Sequence, residues 1–414
     1  MKRNLYLILL FTCLSSAVFA KKLSHQDLNK KIEDLQLQLN KAKSDWNSSK
    51  SNKSNKPAVK LIGRIMVDYG FLGADDAVKN ATGTNAKNGA EFRRARLGAK
   101  GKYKNVEYQV EYDFAGGAPS LRASYLRWRN AQNQAFWFGH IKEPFGLEFN
   151  SSSKYPTFIE NSLLAAFYPG YNTGVYFTED SGDSALSYSV GAFYDSDAFG
   201  TSSASDEDDL SLTGRVTYLF KNENKGQKLF HVGLSHTSRD GDSFTYSSRT
   251  ENHLWTERFV DTGAILSNNT QQTGFEIVWH HDSLQLQAEH VIAKVDAIAG
   301  PNPDFYGTYI QASYFLTGEH RAYNDKFRLF SRVKPKSNYT PHGGRGAWQI
   351  AARYSTIDLN HTASGINGGK QTSTTFGVNW HLNSHSRVML NQTFSDLDGV
   401  GDSDSTALRF QIDF

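Results

Sequence analysis

The last residues of the chain alternate. Leu408, Phe410, Ile412 and Phe414 share one face of a strand, and Arg409, Gln411 and Asp413 share the other. One apolar and one polar face suit a wall between lipid and a watery lumen. Residues 106–114 repeat the pattern, with Val106, Tyr108, Val110, Tyr112 and Phe114 opposite Glu107, Gln109, Glu111 and Asp113. It returns in 210–220, Phe275/Ile277/Trp279, Leu284/Leu286/Ala288, 306–316, Trp348/Ile350/Ala352/Tyr354 and Phe376/Val378/Trp380/Leu382. Period-two runs of about ten residues separated by turn signals predict a membrane-spanning β-barrel.

Taken in order, the runs predict an all-β fold, a 16-stranded antiparallel transmembrane β-barrel. Its strands fall at 60–71, 91–104, 105–115, 120–130, 134–142, 173–179, 185–195, 209–220, 228–239, 272–282, 283–293, 305–317, 346–358, 371–382, 385–396 and 405–414. An even count puts both termini on one side, with short turns on the periplasmic face and long loops outside. The short links at 104–105, 130–133 and 281–282 then lie inside, and the long ones at 143–172 and 240–271 outside. Residues 318–345 break the rule, being long yet periplasmic.

Composition agrees with strands. Hydrophobic residues make up 39% of the 414 and mean hydropathy is −0.53, so beyond the first 20 positions no apolar helix can span. The 27 Phe and 20 Tyr suit girdles at two lipid interfaces. Residues 1–20 read as a signal peptide: Lys2 and Arg3, an apolar stretch, then Val18-Phe19-Ala20. Cys13, the only cysteine, leaves with it, which excludes a disulfide scaffold and a thiolate metal site. Thr12 before it fits a lipoprotein signal poorly.

Residues 21–46 change period. Leu28, Ile32, Leu35, Leu39, Ala42 and Trp46 form a heptad seam and predict a periplasmic coiled-coil helix, too short to persist without partner chains. A lone amphipathic helix on the barrel or membrane is the alternative. Residues 47–59 read as a flexible linker and 60–414 as the barrel. Charge supplies no argument for an anion pore: residues 21–60 hold 10 Lys against 4 acids, and 61–414 sum to −5. Selectivity must come from where charges sit.

In the second strand Arg94, Arg96, Lys100 and Lys102 share the lumen parity, forming a column of cations. Arg93 falls on the wrong parity with Phe92 facing inward, which suggests a bulge that turns both arginines into the lumen. Contacts with lipid headgroups near a rim are the plainer reading. Arg353 lies on the lumen parity of its strand. Arg321, Lys326, Arg328, Arg332, Lys334 and Lys336 form a basic cluster around Asp325, or simply a solvated charge run. Guanidinium forks match phosphate oxygens and stay charged. The 13 His sit in no Ser-centred motif and show no helical metal-ligand spacing, so no enzyme, metal, cofactor or nucleic-acid partner is expected.

Six words in order extend these readings: Gly63-Arg64, Phe92-Arg93-Arg94-Ala95, Lys142-Glu143-Pro144-Phe145-Gly146-Leu147-Glu148, Phe158-Ile159-Glu160, Leu316-Thr317-Gly318-Glu319 and Gly346-Ala347-Trp348. Over most of 60–414 the chain resembles the phosphate-selective porins O and P. The resemblance implies a trimeric sixteen-stranded outer-membrane barrel narrowed by inward loops, one of them periplasmic, which would be 318–345. It also implies that Arg93 and Arg94 belong to a central anion site and that Lys142 matches a basic position before Pro-Phe. Hydroxyls of Ser151 to Ser153 could donate nearby. Ala123 departs from the family, whose members commonly carry an acid there, and this weakens the case for phosphate specificity. The acidic stretch 195–209 suits an extracellular face bridged to lipopolysaccharide by divalent ions, or a solvated loop.

The expected function is passive, anion-preferring diffusion of phosphate or polyphosphate through a homotrimer in the outer membrane. The expected anion contacts are Arg93, Arg94, Arg96, Lys100, Lys142, Arg328, Arg332 and Arg353. A structural or adhesive barrel with little conductance is the competing expectation.

Overall fold

The computed structural model describes residues 30, 31, 33–41 and 56–414, apart from 86, 133, 180, 181, 183 and 203–209. The signal segment, most of the linker, Leu28, Ile32, Ala42 and Trp46 of the heptad seam, and Asp206 to Asp209 lie outside the described residues. Residues 30, 31 and 33–41 are helical, and Leu35 and Leu39 of the seam are 60% and 53% exposed in the single chain.

Sixteen strands form the wall. They are β1 (Ala58–Ala74), β2 (Gly89–Tyr103), β3 (Val106–Asp113), β4 (Ser124–Arg129), β5 (Gln134–Lys142), β6 (Tyr171–Glu179), β7 (Leu186–Tyr194), β8 (Leu210–Glu223), β9 (Lys228–Asp240), β10 (Ile265–His281), β11 (Leu284–Ala297), β12 (Asp304–Phe315), β13 (Ala347–His361), β14 (Ile366–His381), β15 (Ser386–Leu397) and β16 (Gly401–Asp413). Each pairs antiparallel with the next, and β16 pairs with β1. Closure leaves no exposed strand edge, which a barrel in lipid requires.

All sixteen strands lie where the alternation predicts, with differences at several strand ends. β10 begins at Ile265 and β14 at Ile366, several residues early, because stretches such as Ser267 to Gln272 are polar on both faces and rise above the apolar band. Before β4, a two-residue segment (Ser120–Leu121) pairs with β3, and the strand is interrupted at Arg122 and Ala123. Elsewhere the alternation decides the facing. Phe410 and Ile412 are exposed on the outer face, while Arg409, Gln411 and Asp413 are buried on the lumen side.

The seam between the first and last strands depends on Gly63. Gly63 and Phe414 exchange two backbone hydrogen bonds of 3.1 Å. A Cβ at Gly63 would lie 2.4 Å from the Phe414 ring and 2.7 Å from the Arg96 carbonyl oxygen. Gly63→Val is therefore expected to reduce the fraction of protein that migrates as a folded barrel in unheated gel electrophoresis. An unchanged folded fraction would show that the seam tolerates the side chain.

Three connections fold into the lumen. Residues 143–170 bring Phe145, Leu163, Leu164 and Phe167, and residues 241–264 bring Tyr246 and Val260, onto a lumenal patch of Val291, Val295, Phe305, Tyr309, Ile357 and Leu359. An apolar face on the lumen side of β11–β13 draws the loops in, since each large side chain buried is worth about 1.5–3 kcal/mol. Residues 316–346, the long periplasmic link, turn upward: Tyr323 and Phe330 pack with Leu147, Leu219, Leu229 and Val278. Lumen-facing Arg94, Lys100, Gln109 and Arg129 on β2–β4 keep partial or full access, so unfilled space runs along that wall.

Candidate functional site

The lumen narrows where residues 143–170 approach β1, β2, β3 and β16. Met66 of β1 pairs with Arg94 and Val67 with Phe92, so Arg93 is the extra residue of a bulge in β2. The bulge leaves Phe92 exposed outside and lets Arg93 and Arg94 both enter the lumen.

Arg93 forks onto Glu160, donating from Nε at 2.8 Å and Nη2 at 2.9 Å. Arg409 donates to Asp68 at 2.7 and 2.6 Å, to Glu160 at 2.8 Å and to the Ile159 carbonyl at 2.7 Å. Burial alone would raise the Glu160 carboxyl. Arg93, then Arg409 and Arg94, outweigh it and hold the group well below the usual carboxylate range. Glu160 thus stays ionised and ties the loop to β2 and β16.

The neighbouring arginines are similarly engaged. Arg96 is buried and donates to Asp113 at 2.8 Å and to Glu111 at 3.3 Å. Arg64 donates to Glu111 at 3.0 Å and to the Ser153 hydroxyl at 2.7 Å. Asp113 lies 3.7 Å from Arg122 as well, so β3 supplies a carboxylate close to the position where Ala123 lacks one. Arg94 differs from its neighbours. Its ion pair with Asp113 is loose at 3.9 Å, its side chain is 18% exposed, and among the described residues its Nε has no partner. It lines a cavity of about 410 Å³ with Arg93, Glu160, Asn252, Arg249 and Arg258.

The other predicted contacts fall into different surroundings. Lys142 sits at the root of the inward loop, donates hydrogen bonds to the Phe149 and Ser151 carbonyls and lies over the rings of Phe149 and Tyr171. Lys100 is exposed toward the periplasmic end of β2, away from the narrowing. Arg353, predicted to meet anions, is instead buried. It donates to Glu251 at 3.0 and 2.5 Å, to Glu148 at 3.1 Å and to the Glu160 carbonyl at 3.1 Å, and stacks on Phe158. Its charge is spent pinning two inward loops to β13.

Arg328 is likewise buried, at a backbone φ of 55°. It donates to the Ser184 carbonyl and its own carbonyl accepts from Arg215 at 3.2 Å, which anchors the tip of 316–346 to the wall. Arg332 forks onto Asp413 and lies over Tyr155. Neither reaches the Arg93–Arg94 cavity.

Sequence reasoning passed over Arg64, Arg409, Arg249 and Arg258. Arg64 and Arg409 were findable, because the β1–β2 pairing sets Arg64 beside Arg96 and barrel closure sets Asp68 beside Arg409. Arg249 and Arg258 stand on a hairpin whose strands pair Ser247 with Asp261 and Ser248 with Val260. Burial, then Arg258 and Arg93, lowers the Arg249 guanidinium from its usual value, a mark of crowded positive charge. Among the described residues neither meets a carboxylate within ion-pair distance.

The model of the family described as phosphate-selective porin O and P matches residues 59–414. An uncharacterized protein of Caulobacter vibrioides is 29% identical over 395 residues, covering 89% of this chain and 76% of its own. Porin O of Pseudomonas aeruginosa is 25% identical over 397 residues, covering 86% and 88%. Among solved structures, OmpT of Vibrio cholerae aligns with a TM-score of 0.55 at 11% identity, over 86% of this chain and 98% of that one. OprB of Pseudomonas putida aligns with a TM-score of 0.54 at 11% identity, over 89% and 97%. These structural likenesses concern the fold.

Proposed function

Since the chain belongs to the phosphate-selective porin O and P family and so forms an outer-membrane porin channel, we propose that the channel prefers anions and takes phosphate or short polyphosphate at Arg94. The observation that carries this reading is the weakly partnered Arg94 guanidinium beside Arg93, Arg249 and Arg258 in one cavity. Most lumenal arginines are neutralised by Asp68, Glu111, Asp113 and Glu160, so the site is a local excess of charge rather than a continuous column. Such an excess attracts an anion while leaving it free to depart, as conduction needs.

The wider assembly follows the same reading. The chain works as a homotrimer in contact with lipopolysaccharide, with residues 1–20 removed, the 21–46 helix in the periplasm and 47–59 as its tether. The exposed Leu35 and Leu39 fit a helix that awaits partner chains.

Lys154 offers a test at the tip of the inward loop. Burial, then Arg64, brings its ammonium down to about 8, against the pull of Asp413 at 3.7 Å. It is charged below that value and neutral above it, so the preference for chloride over potassium should fall as the pH rises from about 7 to about 9. Planar-bilayer permeability ratios check this, and Lys154→Met should remove the dependence. A wild-type ratio favouring potassium throughout would refute the anion reading. A flat anion-selective ratio would exclude Lys154 alone.

A further inference from the structure

Away from the Arg94 cavity, a second cluster of positive charge lies at the seam between residues 143–170, residues 316–346 and the β13–β15 wall. Arg321 and Arg387 are 4% and 5% exposed. Their partners are neutral oxygens. Arg321 donates to Gln285 Oε1 at 3.3 Å and the Tyr155 carbonyl at 2.9 Å, and Arg387 to Gln411 Oε1 at 3.0 Å and the Pro156 carbonyl at 2.7 Å. Among the described residues neither has a carboxylate within ion-pair distance. Arg332 and Lys154 add charge nearby, and Asp413 is the one acid lining the space, already shared by both.

Two further donors point to a ligand. Among the described residues Gln349 Nε2 and His381 Nε2 are buried without partners, and both side chains line the same cavity. His381 Nε2 donates in the tautomer that carries its proton there. His385 also lines the space, with Nδ1 engaged by the Asp413 carbonyl at 3.0 Å. The cavity gives the centre of a water-sized sphere about 20 Å³, where one water needs about 10–15 Å³. A monatomic ion fits. Water would satisfy the donors but leave two buried guanidiniums uncompensated, which is the costlier defect.

We propose that Arg321, Arg387, Gln349 and His381 hold one buried halide, chloride in nature, that pins the two inward segments to the barrel wall. The ion is structural, and its test reads bound halide and unfolding instead of current.

The test uses the full-length protein in detergent. Crystals soaked in millimolar bromide should show an anomalous peak among these four side chains. The thermal unfolding midpoint should rise saturably with chloride or bromide but not with gluconate at equal ionic strength, because a ligand bound only by the folded state stabilises it. Gln349→Glu, which places a carboxylate beside the two guanidiniums, should unfold like the chloride-loaded protein and lose the halide response. A bromide peak only at molar concentration would mean an adventitious ion only. That result, no peak at all, or an equal response to gluconate would overturn the proposal.

Discussion

Arg94→Ala is expected to raise the phosphate concentration that half-blocks chloride current by about 10- to 150-fold, from the loss of about 1.5–3 kcal/mol of charged hydrogen bonding. The reason lies in its neighbours. Arg93, Arg96 and Arg409 each hold a carboxylate at 2.8 Å or less, and an entering anion must compete with that carboxylate. Among the described residues the one carboxylate near Arg94 is Asp113 at 3.9 Å, which leaves its donors to a ligand. Arg94→Lys should fall between, keeping the charge but losing the planar fork. The measurement is a phosphate titration of single-channel chloride current in planar bilayers. A change of less than about twofold would remove Arg94 from the site, given the scatter of single-contact effects.

Arg353→Ala should act on stability instead of affinity. It leaves Glu251 and Glu148 without their guanidinium in a buried setting, a defect worth about 3–5 kcal/mol. Burial already raises the Glu148 carboxyl, against the pull of Arg353, so losing the arginine pushes it further toward the neutral form. With the pin gone, residues 143–170 and the 247–261 hairpin should loosen. Thermal unfolding of the detergent-solubilised protein should shift down, and open-channel current should become noisier. Arg353→Met combined with Glu251→Gln should recover part of the loss, because the Glu251 charge is removed along with its partner while Glu148 keeps its hydrogen bonds from Ser162 and Tyr168. If Arg353→Ala weakened phosphate block with stability unchanged, Arg353 would be an anion contact after all.

The strands were legible because lipid imposes a strict rule: in β16 and β3 every second side chain must be apolar, and the eye can follow it. The rule lapses where β10 and β14 rise above the apolar band, and there the predicted starts are late. The bulge at Arg93 was legible as a parity error between Phe92 and Arg94. The segment 318–345 was legible as a long link on the wrong side, and its inward turn came only through the family resemblance. What could not be read was the choice of partner. Arg93 meets an acid 67 positions away and Arg353 one 102 positions away, and nothing local marks Glu160 or Glu251 as their counterions. A lumen-parity arginine therefore reads as a free cation in sequence, even when it is a buried pin. Arg353 and Arg94 share that parity and differ in what the loops bring to them.

The central claim is that anions, phosphate among them, carry current past Arg94. A reversal potential measured across a gradient of potassium phosphate in a planar bilayer addresses it directly. The account predicts a reversal potential with the sign set by phosphate, moving toward zero in Arg94→Ala. A potential with the sign set by potassium in the wild-type channel would contradict it.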